Sequence, residues 1–155
     1  MAQDQVGELR RVMQQLFRGF GALAVDTTPC GKPLPMAHAH ALMVLLVEGE
    51  LSQQALGTKL RIDKSNVARL CARMVDAGHA EQRASERDGR SRRVSLTPSG
   101  KRLARDVDAA SYARFSTWLA ALPVARRSPL LDGLNQLVAA MDVLLTRPVD
   151  EMAAK

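Results

Sequence analysis

Two stretches of this 155-residue chain gather side chains able to grip a polyanion. Asp63-Lys-Ser-Asn-Val-Ala-Arg69 presents Lys64, Ser65, Asn66, Ala68 and Arg69 in close order, with Arg73 one helical turn further on. Arg83, Arg87, Arg90, Arg92 and Arg93 crowd around Asp88-Gly89. Arg can pair bidentately with guanine O6 and N7, Asn with adenine, and Ser with bases or phosphates, so these types can read the edges of base pairs. The charge is concentrated to match. Residues 59–105 hold 13 basic and 5 acidic side chains, a surplus of +8, while the segments before and after each balance at −1. A surplus confined to the middle of a chain suits a nucleic-acid-binding face on a neutral body. Charge alone would suit a solvated surface equally well, so the elements that carry it must decide.

Those elements follow from spacing. Val6, Leu9, Val12, Met13, Leu16, Phe17, Phe20, Leu23 and Ala24 recur every three or four residues, which predicts an amphipathic helix over 4–25. Asp26 to Pro35 holds three prolines and a glycine and reads as a loop. A second helix is expected over 36–47, and a short one over 53–60 capped by Ser52. After a tight turn at Arg61-Ile62, Asp63 caps a helix over 64–77 that ends at Gly78. The period then changes to two: 79–83 and 92–97 read as strands, joined by a polar stretch with the turn signal Asp88-Gly89. Thr97-Pro98 opens a long helix to about 122, and a last helix is expected to bury Leu130, Leu134, Leu137, Val138, Met141, Leu144 and Leu145. The fold class is therefore mainly α with a small β-hairpin.

Composition excludes several classes. A hydrophobic fraction of 46% and a charged fraction of 25% are ordinary for a globular domain and rule out a disordered tail. Five aromatic residues leave the core to aliphatic side chains. No apolar run approaches the ~18 residues of a membrane helix, and Asp4 and Glu8 spoil a secretory leader. Two cysteines, Cys30 and Cys71, make no disulfide framework. The expectation is a cytoplasmic protein without membrane association. No phosphate loop, carboxylate pair or nucleophile–base spacing suggests an enzyme, and no cofactor or metal is expected.

A short helix, a tight turn and a second helix opening on polar and basic residues form a helix-turn-helix, whose second helix belongs in the DNA major groove. An Arg-tipped finger, 84–93, suits the adjoining minor groove. At this point the sequence resembles the multiple-antibiotic-resistance regulator (MarR) family of winged helix-turn-helix transcription factors. The residues that carry the likeness are Asp88-Gly-Arg90, then Leu96-Thr97 and Gly100, with 51–60 and 63–69 as the helix-turn-helix. The resemblance implies an intertwined homodimer whose first, fifth and sixth helices interlock. It divides the chain into a dimerisation helix and loop (1–35), a winged helix-turn-helix (36–100) and C-terminal dimerisation helices (101–155). It implies a repressor reading a pseudo-palindrome in double-stranded DNA, with Lys64, Ser65, Asn66, Ala68, Arg69, Arg73, Arg87, Arg90 and Arg92 at the duplex and Asp88 and Gly89 shaping the wing. The alternative is a sequence-indifferent architectural binder using the same basic face.

The family also implies a pocket for a small phenolic or anionic effector. Phe17, Met36, His38, His40 and Tyr112 are the candidates to line it, and core packing is their simpler reading. Cys30 is the candidate redox sensor, though a reactive thiol needs access and a lowered pKa. Cys71 falls on the apolar face of its helix and reads as a small core residue.

Overall fold

A computed structural model describes residues 2–84 and 91–145. Among these residues six helices and three strands follow in the order α1 (Ala2–Phe20), α2 (Met36–Glu48), β1 (Leu51–Ser52), α3 (Gln53–Leu60), α4 (Lys64–Asp76), β2 (Ala80–Ala84), β3 (Arg92–Leu96), α5 (Pro98–Ala120) and α6 (Val124–Leu145). The chain falls into two compact units, 1–113 and 114–155. Among the described residues no helix is long and apolar enough to cross a membrane.

Local chemistry sets the boundaries. Ser52 caps α3, its hydroxyl accepting from the Ala55 N–H at 3.0 Å, and Asp63 caps α4 through the Asn66 N–H at 2.8 Å. The end of α4 is a Schellman turn. Gly78 takes φ +72°, its N–H reaches Val75 O, and the His79 N–H reaches back to Met74 O. The same device closes α1 earlier than its apolar spacing predicts. Gly21 adopts φ +86° and the Ala22 N–H bonds Phe17 O, so Leu23 and Ala24 lie beyond the helix. Periodicity carried the expectation past a residue whose backbone freedom stops it.

The core lies in the first unit. Leu42 and Leu45 of α2, Leu56 of α3, and Val67, Leu70, Cys71 and Met74 of α4 are buried together with Val94 and Leu96 of β3. The antiparallel sheet has the order β1-β3-β2, with Leu51 opposite Val94 and Gln82 opposite Val94 on the other side. Strand β1 was not anticipated, because two residues ahead of a helix show no alternation to read. Burial of Leu130, Leu134, Val138, Met141 and Leu144 was expected, yet each is between 42 and 51% exposed.

Candidate nucleic-acid interface

Helix α4 divides cleanly into two faces. Val67, Leu70, Cys71 and Met74 are buried, which fixes the helix to α2, α3 and the sheet. Lys64, Ser65, Asn66, Arg69 and Arg73 are exposed and Ala68 is half-buried beside them. The tight α3–α4 turn that aims this face depends on Gly57. A Cβ there would stand 3.2 Å from Val67 Cγ1 and 3.3 Å from Ile62 O. The preceding Arg61 ends α3 in the left-handed conformation at φ 54°.

The first turn of α4 holds a continuous hydrogen-bond network. Asp63 Oδ1 accepts from the Ser65 hydroxyl at 2.8 Å and from the Asn66 backbone N–H at 2.8 Å. Asp63 Oδ2 accepts from the Asn66 side-chain amide, and Asn66 Oδ1 accepts from Arg69 Nη2 at 2.7 Å. These donors, the Asn66 backbone N–H foremost and the Ser65 hydroxyl next, hold the Asp63 carboxyl below its ordinary range. Residue types alone could not show that both ends of the Asn66 amide are engaged.

Between α3, α4 and the sheet runs an open cleft of about 720 Å³. Arg61, Lys64 and Arg92 stand on its walls beside Thr58, Gln82 and Ser91, and among the described residues no carboxylate lines it. Arg92 is exposed at the start of β3. Of the other wing residues singled out from sequence, Arg87, Asp88, Gly89 and Arg90 lie outside the described residues.

The root of the wing is tied by a residue that sequence reasoning missed. Arg83 and Arg93 face each other across β2 and β3, a pairing of like charges that disfavours the ladder. Glu50, just ahead of β1, takes both: Arg83 Nη2 at 2.6 Å on Oε2, and Arg93 Nε on Oε1. The Arg93 hydrogen bond, with the charge of Arg83 behind it, holds the Glu50 carboxyl below its usual range. Glu50 is 33 and 43 residues from its partners, a separation that no local pattern reveals.

The candidate effector residues lie on three helices, α1, α2 and α5. Phe17 on α1 is 51% exposed, Tyr112 on α5 is 76% exposed, His40 is exposed and Met36 half-buried. His38 is buried, its Nε2 3.2 Å from His79 Nδ1, so it pairs with the wing side of the fold and not with the other four. Cys30 is half-buried with Sγ 3.1 Å from Thr28 Oγ1. Cys71 is buried, and desolvation pushes its thiol up.

Burial of His38, followed by the charges of His79 and Arg73, lowers its pKa from about 6.5. The unfolded chain therefore binds a proton near pH 6.5 that the folded chain refuses until lower pH. Stability contributed by neutral His38 is complete above pH 6.5 and is lost as pH falls through the folded value. Denaturant titrations at pH 7.5 and 5.5 are expected to show weaker folding at the lower pH, and His38→Gln should narrow that difference.

A half-exposed basic helix set by a tight turn against a three-stranded wing defines a winged helix-turn-helix protein. Residues 32–91 match the family model described as the MarR family, a family of transcription regulators that bind DNA. The match lies on this domain and covers 60 of the 155 residues. It is 33% identical over 98 residues to the exopolysaccharide II synthesis transcriptional activator ExpG of Rhizobium meliloti, covering 62% of this chain. The alignment spans about half the length of that relative. The fold is similar to that of FabT from Streptococcus pneumoniae in complex with DNA, with a TM-score of 0.69 at 15% identity, covering 93% of this chain and 99% of that one. It is also similar to Bordetella bronchiseptica BpsR, whose DNA binding is regulated by 6-hydroxynicotinic acid, with a TM-score of 0.67 at 23% identity over 86% and 98%.

Proposed function

We propose that this chain is a dimeric, sequence-specific transcriptional regulator whose α4 enters the major groove while the wing reaches the minor groove. The observation that carries this reading is the cleft walled by Arg61, Lys64 and Arg92 beside the exposed polar face of α4. A phosphate backbone laid along that cleft meets cations on both sides, and the same docking puts Ser65, Asn66, Ala68, Arg69 and Arg73 at base edges. On the same reading, Arg87 and Arg90 supply charge for the minor groove, and Asp88-Gly89 is the turn signal that the sequence offers between the strands. Two copies related by a two-fold axis read half-sites about one helical turn apart. Occupancy of a promoter represses it. The likeness to an activator makes the position of the operator, upstream of the polymerase or across its site, the determinant of sign. A small anionic aromatic compound, of the kind that regulates BpsR, releases the DNA by preferring a different spacing of the two α4 helices.

Selection of bound duplexes from a random pool at about 150 mM salt tests this. The expected product is a two-fold symmetric consensus, with affinity falling steeply as salt rises. Tight binding without a consensus would establish the architectural alternative instead.

A further inference from the structure

Which side chain reads sequence on α4 is answered by the hydrogen bonds of its first turn. We infer that Arg69 is the base-reading residue and that Asn66 and Asp63 are positioning residues, relaying the fixed backbone of the helix start to the Arg69 guanidinium. The inference rests on the DNA-docking reading above.

The bonds run one way. Asp63 is anchored by the helix itself, because its Oδ1 accepts from the Asn66 backbone N–H at 2.8 Å. Its second oxygen takes the side-chain amide of Asn66, which turns Asn66 Oδ1 outward to Arg69 Nη2 at 2.7 Å. Only this orientation of the amide sets donors against acceptors at both ends. To pair bidentately with adenine, Asn66 would have to release Asp63 and Arg69 together, leaving a carboxylate without its amide donor and a long cation without its guide. Arg69 meets no such conflict. One guanidinium nitrogen is used by Asn66, and the remaining donors are free to form the two parallel bonds that guanine O6 and N7 accept. A guanidinium held from one side loses less rotamer freedom when it meets its base. The relay also explains an acidic residue on a face that must approach phosphate. Asp63 repels the duplex, so its carboxylate has to serve the protein side, and it does so with three hydrogen bonds.

Random-duplex selection run on wild type, Arg69→Ala, Asn66→Ala, Asp63→Ser and Asn66→Ala/Arg69→Ala tests the relay. Serine still caps α4 but lacks the second oxygen that orients Asn66, so unfolding curves should show the helix retained. Arg69→Ala is expected to erase a guanine preference at one position of each half-site, on the order of ten- to a hundredfold. Asn66→Ala and Asp63→Ser should each weaken preference at that same position by roughly three- to tenfold. The double variant should equal Arg69→Ala. If Asn66→Ala instead erases an adenine preference at a different position, or adds its full loss on top of Arg69→Ala, the relay is overturned while the docking stands. A wild type that yields no consensus would overturn the docking itself.

Discussion

Gly100→Ala is expected to remove the folded winged helix altogether, or to leave it so weakened that most of the protein unfolds at modest denaturant. A Cβ at this position would stand 1.8 Å from His79 O, 2.8 Å from His79 C and 3.2 Å from His79 Cα. All three atoms are backbone, so no rotamer change relieves the clash. Displacing α5 is no escape either. The Gly100 N–H is held by Thr97 Oγ1 at 3.0 Å, the Thr97 hydroxyl donates to Gly78 O at 2.6 Å, and the Thr97 N–H donates to His79 O at 3.1 Å. The Schellman turn that ends α4, the entry to β2 and the first turn of α5 cross at this point. Moving one breaks the hydrogen bonds of the others. The cost belongs in the upper range for single substitutions, about 3 kcal/mol or more, against a total stability on the order of 5–15 kcal/mol for a domain. Gly133 supplies the contrast. It sits in α6 with nothing within 4 Å of a Cβ, so Gly133→Ala should stabilise by roughly 0.5–1 kcal/mol through helix propensity. Paired urea titrations of the two variants decide the matter. Equal stability of Gly100→Ala and wild type would mean that α5 and β2 do not meet as described.

The contrast between those glycines also marks what the sequence discloses. Gly100 could be recognised as a letter of a wing signature, but its reason, a close approach of two backbones 21 residues apart, exists only in three dimensions. Local devices were legible: the Ser52, Asp63 and Thr97 caps and the stop at Gly78 are each set by residues within five positions of one another. The split of α4 into a buried stripe and a basic face was legible for the same reason, since helical period fixes it. Where several residues compete for one group, types were not enough. Asn66 can serve adenine or Asp63 and Arg69, and only coordinates show which partners it holds. Glu50 between Arg83 and Arg93, and His38 against His79, needed the tertiary fold to bring distant segments together. Phe17, Met36, His38, His40 and Tyr112 were chosen by type and family likeness, and neither helical period nor capping bears on whether they line one pocket.

Charges placed on the apolar faces of α1 and α6 are expected to split a dimer and, with it, tight operator binding. Val6, Leu9, Val12, Leu16 and Phe17 share the three-and-four spacing of one face of α1, and each is 45–67% exposed. On α6 the residues Leu130, Leu134, Val138 and Met141 repeat that pattern at 42–51% exposure. Side chains of this size gain roughly 1.5–3 kcal/mol each on full burial, and two helices presenting such rows exceed the apolar patch a monomer ordinarily leaves in water. A second copy offering the same rows is the economical cover, since a two-fold axis makes each face its own complement. The wild-type chain should therefore sediment at twice its 16.9 kDa at micromolar concentration. Leu134→Glu/Val138→Glu buries two carboxylates against apolar partners in the dimer but leaves them solvated in the monomer, so it acts on association more than on the first unit's core. The expected outcome is a monomer whose operator affinity falls by about a hundredfold or more, because the second half-site no longer profits from the effective concentration that linkage provides. Binding to an isolated half-site should change little, since α4 and its hydrogen bonds are untouched. A doubly charged variant that still sediments as a dimer would assign these faces to another partner and place the two-fold axis elsewhere. A monomeric wild type with full operator affinity would instead mean that one winged helix reads the whole site.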